Sequence, residues 1–200
     1  MNSISVFLTT IGRPTLINML KSLINELEEN DFLYIAIDGN EYYDQANEQI
    51  IQCINSFKCS IVIFYVNKSL GYWGHGCRNY YQKYLKGDFI LHGDDDDAYI
   101  KGSFKKIRET IDKSDKQSII FFKVIGDHKH NDSWWRYPSI EPGNIGTPSG
   151  LIPNIPDKMG NWECKYGGDL NFYLSCKFNH IFCEEKIYVV KPLEANYPLN

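Results

Sequence analysis

Apolar residues along this chain follow two alternating rhythms. Short runs of β-branched and aromatic residues are separated by longer stretches in which apolar side chains recur every three or four positions, the pattern of parallel strands joined by crossover helices. Strands are predicted at Ile4–Thr9, Leu33–Ile37, Ser60–Val66, Phe89–Leu91, Ser118–Ile125 and Ile181–Val190. Leu16, Met19, Leu20, Leu23, Ile24 and Leu27 mark one helical face, Ala46, Ile50 and Ile54 a second, and Phe104, Ile107 and Ile111 a third. Further helices are predicted between Gly76 and Leu85 and from about Gly168 to Lys177. Between Gly126 and Lys165 the alternation loosens and Trp, Pro, Gly and Asn accumulate, which predicts long loops over a site. No repeat, linker or low-complexity tract interrupts the pattern, so residues 1–200 are expected to form a single α/β domain.

Composition narrows the function. A chain of 200 residues with 43% hydrophobic content builds one core without staples. Its net charge of -4 disfavours a polyanion partner, which needs a basic face, so no nucleic acid is expected. Met1–Leu8 has no basic region ahead of its short apolar run, and no stretch approaches the roughly 18 apolar residues of a membrane span. Neither export nor stable membrane insertion is expected. The six cysteines show no CxxC pair and read as reduced thiols of a cytoplasmic protein.

Ligands of open α/β sheets gather at the carboxyl ends of the strands, which draws attention to Thr9, Asp38, Asn67 and the run Asp94-Asp95-Asp96-Asp97. Four adjacent carboxylates repel one another unless a cation shares the site. If the segment stays extended, Asp94 and Asp96 share one face while Asp95 and Asp97 point away. Oxygen ligands of this kind suit Mn²⁺ or Mg²⁺, and a metal held by one or two carboxylates completes its shell with water and substrate phosphates. A diphosphate ligand is therefore expected.

The ordered segments Ile-Ser-Val-Phe-Leu-Thr-Thr-Ile-Gly-Arg-Pro from Ile4, Ala-Ile-Asp-Gly-Asn from Ala36, Gly-Cys-Arg-Asn from Gly76, Phe-Ile-Leu-His-Gly-Asp-Asp-Asp-Asp from Phe89, Gly-Thr-Pro-Ser-Gly from Gly146 and Gly-Gly-Asp-Leu from Gly167 resemble glycosyltransferase family 2 over nearly the whole chain. The resemblance implies a GT-A fold, a nucleotide-diphospho-sugar transferase-like domain whose mostly parallel central sheet carries helices on both faces. It implies a nucleotide-binding half at 1–100 and an acceptor-binding half at 101–200. The expected activity is metal-dependent, inverting sugar transfer from a nucleoside-diphosphate sugar, a UDP-sugar first, to a glycan, lipid-linked or protein-linked hydroxyl. Thr9, Arg13 and Asp38 are implied around the base and ribose, and Arg78 near the diphosphate. Asp96 is implied as direct metal ligand, with Asp94 and Asp95 toward ribose or sugar and Asp97 taking the metal if the register shifts by one. Asp169 matches the family's general base. Three positions depart from the pattern: Gly168 stands where glutamate often precedes the base, Ile11 where an aromatic often stacks on the base, and no histidine follows the last strand.

Trp134, Trp135, Tyr137 and Trp162 are candidate platforms for an acceptor sugar, each equally explained as core, and Ser149 lies in a turn that would shape the acceptor pocket. His128, His130 and Asp132 read as a polar hairpin tip rather than a metal site. His75 and His92 lie near the aspartates, with His75 in reach of phosphate. A sugar nucleotidyltransferase is disfavoured because the loop after the first strand holds one glycine, Gly12, and a dinucleotide dehydrogenase because no GxGxxG follows that strand. A binding protein that keeps the nucleotide pocket without turnover is the alternative the three departures suggest.

Overall fold

The computed structural model describes residues 2–126 and 138–192. Eight strands form one sheet: β1 (Ile4–Thr10), β2 (Phe32–Asp38), β3 (Ser60–Val66), β4 (Phe89–Asp94), β5 (Ala98–Tyr99), β6 (Ser118–Ile125), β7 (Gly150–Pro153) and β8 (Asn179–Val189), in the order β3-β2-β1-β4-β7-β6-β8-β5. β1 pairs parallel with β2 and β4, β2 parallel with β3, and β6 parallel with β8. β7 runs against β4 and β6, and β5 against β8. The sheet is thus mostly parallel, with two short reversed strands.

Alternation along the strands assigns the two faces. Ile4, Val6 and Leu8 of β1 pack with Leu16, Met19, Leu20 and Leu23 of α1 (Leu16–Leu23), Ala46 and Ile50 of α2 (Tyr43–Ile51), and Phe104, Ile107 and Ile111 of α4 (Ser103–Lys113). Phe7 points to the opposite face, where it joins Tyr34, Ala36 and Cys77 of α3 (His75–Tyr81). On that face Ile119 and Phe121 of β6 meet Phe172 and Tyr173 of α5 (Gly168–Ser175). Every residue of β1 is buried because helices cover both faces and strands flank both sides. Each large apolar side chain so buried contributes about 1.5–3 kcal/mol of transfer free energy.

The predicted bounds of β3 and β6 agree with the structure to the residue, whereas β4 extends through Asp94 and β7 was not predicted. β7 lies inside the stretch expected to be loop and sits at the middle of the sheet. Register brings the ends of the central strands together, with Thr9 opposite Asp94 and Thr10 opposite Ile37. The six cysteines form no disulfide. Among the described residues no helix is long and apolar enough to cross a membrane.

Candidate active site

β4 ends at Asp94, and the chain turns over Asp95 and Asp96 instead of staying extended. Asp94 Oδ1 accepts a hydrogen bond from Arg78 Nη2 at 2.6 Å. Asp95 is buried: its Oδ2 accepts from the Thr10 hydroxyl at 2.6 Å and the Ile11 amide at 3.2 Å, and its Oδ1 meets Arg13 Nη1 at 2.7 Å. Asp96 Oδ2 lies 3.2 Å from Arg13 Nη1 and 3.7 Å from Lys191 Nζ. Asp97 Oδ1 accepts the Lys191 amide at 3.0 Å. The side chains of Asp94 and Asp96 keep 30% and 21% of their surface, while Asp95 and Asp97 are enclosed. The exposed pair is the one an extended segment would also have presented, although a turn produces it.

Burial sets the protonation of this cluster. It raises the Asp96 carboxyl above the ordinary carboxylate range against the opposing pull of Arg13, with Asp94 adding to the rise. Burial pushes the Asp97 carboxyl up much further, aided by the charges of Asp94 and Asp96. Two partly open carboxylates, Asp94 and Asp96, are a donor set that a hard divalent ion fits, provided phosphate and water oxygens complete its shell. Among the described residues no three His, Cys, Asp or Glu side chains converge as a self-sufficient metal cage.

Arg78 is fully buried and does not line the cleft; it underlies it. Its Nη2 also donates to Thr9 Oγ1 at 3.2 Å and to the Gly93 carbonyl at 3.1 Å, its Nη1 donates to the Trp73 carbonyl at 2.9 Å, and the guanidinium lies 5.0 Å from the Trp162 ring centroid. Asp38 uses both oxygens to hold the next loop, accepting from the Leu70 amide at 2.6 Å, the Gly71 amide at 2.9 Å and the Ser69 hydroxyl at 3.2 Å.

That loop continues through four consecutive residues with positive φ: Gly71 (66°), Tyr72 (55°), Trp73 (53°) and Gly74 (81°). For the two aromatic residues the left-handed conformation costs about 1–2 kcal/mol each. Gly74 is required on two counts, since a Cβ there would overlap Thr9 Oγ1 and meet an unfavourable φ. The turn delivers the Trp73 carbonyl to Arg78 and leaves the Trp73 ring 64% exposed.

Asp169 lies in the first turn of α5, and Gly167, with φ 76°, takes the N-cap place. Asp169 is therefore not the capping residue; its Oδ1 accepts the Leu170 amide at 2.8 Å and the residue lines the cleft. At Gly168 a Cβ would overlap the Glu163 carbonyl and lie 2.6 Å from His75 Nδ1, so this backbone has no room for the family's glutamate. His75 Nδ1 is 2.9 Å from the Glu163 carbonyl, which only accepts, so the proton sits on Nδ1. Burial, then Arg78, lowers the imidazole's proton affinity and leaves Nε2 an acceptor.

Thr9, Arg13, Asp38, Asp94, Asp95, Asp96, Asp97 and Asp169 all line one cleft of about 670 Å³, bordered by Trp73, His75, Tyr166 and Lys191. That volume suits a nucleotide-sized ligand. Two expected acceptor residues require correction. Trp162 is wholly buried and stacks on Phe172 at 4.2 Å, so its faces are closed to a sugar. Ser149 is buried, with its hydroxyl accepting the Gly146 amide at 3.0 Å. Trp134, Trp135, Tyr137, His128, His130 and Asp132 lie outside the described residues. Sequence reasoning passed over Trp73, Tyr166 and Lys191. The aromatic pair Tyr72-Trp73 bracketed by Gly71 and Gly74 was the available signal, whereas Lys191 becomes significant only when β8 brings it beside Asp96.

The fold is shared with solved structures. S. aureus TarS superposes with a TM-score of 0.72 at 15% identity, covering 94% of this chain and 36% of that one. TarS 1-349 in complex with UDP-GlcNAc gives a TM-score of 0.69 at 15% identity, covering 97% of this chain and 59% of that one. HddC from Yersinia pseudotuberculosis gives 0.56 at 12% identity, covering 94% and 92%. The chain thus spans between 36% and 61% of the length of the TarS structures it matches. No curated protein matches the sequence. The family model for glycosyl transferase family 2 matches residues 5–174, which takes in β1 from Ser5, every strand from β2 to β7, the aspartate run and Asp169, and the chain belongs to that family.

Proposed function

We propose that this chain is a nucleotide-sugar-dependent glycosyltransferase, using a UDP-sugar first, that transfers the sugar to a hydroxyl acceptor with inversion. One observation carries the reading: Asp169 shares a single cleft with the Asp94–Asp97 carboxylates at the ends of the parallel strands. The solved TarS complexes with UDP and UDP-GlcNAc support the choice of donor. The strand ends of residues 1–100 would face the nucleotide, and the segment around Asp169 the acceptor.

In this reading Asp38 holds the Ser69–Gly71 loop against the nucleoside, with Thr9 and Arg13 beside it. Arg78 fixes Asp94 from below, and Arg13 and Lys191 hold Asp96. Asp96, with Asp94, would hold Mn²⁺ or Mg²⁺, which when bound supplies positive charge to the departing diphosphate. Asp169 takes the acceptor's proton as its oxygen bonds to the anomeric carbon and the bond from that carbon to the diphosphate oxygen breaks. Attack from the side opposite the leaving group inverts the anomeric configuration. Six unpaired thiols fit a reducing, cytoplasmic setting.

The test replaces Asp169 by Asn and follows UDP release from a panel of UDP-sugars with Mn²⁺. A general base contributes about 10²–10⁴-fold, so release should fall by that factor while UDP affinity stays within about twofold. Unchanged turnover removes Asp169 from the mechanism. Donor binding with no release by the unsubstituted chain, across donors and acceptors, would favour the binding protein.

A further inference from the structure

Two exposed aromatic rings border the cleft without being needed by the core. Trp73 is 64% and Tyr166 89% exposed, and their centroids lie 6.1 Å apart at 76°, which makes an open corner with two ring faces set nearly at right angles. Burial cannot account for either ring. Backbone strain accounts for neither, because Trp73 holds φ 53° in a turn where glycine would rest at no steric cost. Strain of this kind persists where the surrounding structure enforces it, and it concentrates at ligand-binding segments. Here the Arg78 bond to the Trp73 carbonyl enforces it.

The second ring is tied to the chemistry by chain connectivity. Tyr166 is followed at once by Gly167, the N-cap of α5, and then by Gly168 and Asp169. The Tyr166 ring and the carboxylate thus sit on one short segment, and both rings line the same cleft as Asp169. A pyranose matches this shape, since its C–H face packs on an aromatic ring while its hydroxyls project from the edge. A simple alkyl alcohol or a serine side chain offers no such face.

We propose that Trp73 and Tyr166 stack the ring of a saccharide acceptor, so that the hydroxyl presented to Asp169 belongs to a carbohydrate. The proposal rests on the transferase reading above.

The experiment uses the full chain with saturating UDP and Mn²⁺, titrated by saturation-transfer NMR with the methyl glycosides of glucose, galactose, mannose and N-acetylglucosamine. A serine-containing peptide is the non-sugar control, and UDP and UDP-GlcNAc affinities are measured in parallel. At least one glycoside should bind, and the peptide should not. Trp73→Gly and Tyr166→Ala should each weaken that glycoside by about fivefold, the scale of one aromatic contact, with UDP affinity held within about twofold. Trp73→Gly also separates binding from folding: it relieves the left-handed strain, so its melting temperature should equal or exceed that of the parent while glycoside affinity falls. Tyr166→Ala serves the same purpose at a position that packs against almost nothing. Glycoside binding that ignores both substitutions overturns the proposal, as does UDP binding with no glycoside bound. If the substitutions weaken UDP-GlcNAc and leave the glycosides alone, the rings serve the donor and the proposal is also overturned. A parent chain that binds no UDP defeats the transferase reading itself, which is a different result.

Discussion

Asp97 shows how a buried carboxyl couples this site to stability. Its proton affinity is raised by burial first and by Asp94 and Asp96 next, so the folded state holds the proton more tightly than the unfolded chain does. With a raised folded value, the stabilisation is fully present below the unfolded carboxylate range, about pH 4, and is lost as pH rises through the folded value. Asp97→Asn removes the titration and keeps an oxygen for the Lys191 amide. In urea unfolding with EDTA, the variant should therefore gain stability relative to the parent at pH 7 and gain little or nothing at pH 4. A gain that is equal at both pH values would show that Asp97 is ionised in the folded protein. The neighbouring residues differ in kind: Asp95 is pinned by Arg13, Thr10 and the Ile11 amide, while Asp94 and Asp96 keep surface toward the cleft. Four chemically identical side chains are thus sorted into two roles by packing, which is why their spacing alone left the ligand at Asp96 or Asp97 open.

At the scale of elements, one buried hydroxyl ties α5, which carries Asp169 into the cleft, to the start of β7. The Tyr173 hydroxyl, fully enclosed, accepts the Gly150 amide at 3.1 Å and donates to the Thr147 carbonyl at 2.8 Å, tying α5 to the start of β7. Tyr173→Phe keeps the ring edge-to-face with Phe121 but strands a buried donor and a buried acceptor. Each stranded group costs about 1–3 kcal/mol, so thermal unfolding should occur about 6 °C lower for a loss near 2 kcal/mol, and a shift below about 1 °C would mean water replaces the hydroxyl. The same region marks the limit of reading elements from pattern. β3 and β6 are seven and eight residues long and mostly β-branched and aromatic, long enough to declare both ends. β7 is Gly-Leu-Ile-Pro, too short for any period, and it is a strand only because β4 and β6 offer it partners on both sides. Thr9, Asp38 and the aspartates were legible because strand ends locate ligands in this class of sheet. Trp73 was not, since a left-handed turn at two aromatic residues runs against propensity, and Trp162 was misplaced because its burial depends on Phe172 and Arg78 arriving from distant segments.

The whole cleft, considered as one charged surface, sets the terms for its ligand. Arg13, Arg78 and Lys191 offset the charges of Asp94, Asp95 and Asp96, and burial drives the Asp97 carboxyl toward its neutral form. A nucleoside diphosphate brings further negative charge into a partly desolvated space beside two carboxylates, where repulsion is weakly screened. In the proposed reading a divalent cation entering with the diphosphate would offset that charge, so the free protein should hold the metal weakly and the ternary complex tightly. A ligand at about 100 times its dissociation constant stabilises the folded state by about 2.7 kcal/mol, which for a chain of this size raises the melting temperature by about 5–10 °C. UDP with Mn²⁺ should reach that shift, with Mn²⁺ alone giving little and UDP with EDTA giving less than half. Asp96→Asn should bring the UDP–Mn²⁺ shift down toward the EDTA value, because one of the two open carboxylates is lost while the fold's own pairs at Asp94 and Asp95 remain. An equal shift in EDTA and in Mn²⁺ would mean that Arg13 and Lys191 carry the diphosphate unaided, and metal dependence would drop out of the mechanism while the nucleotide site remained.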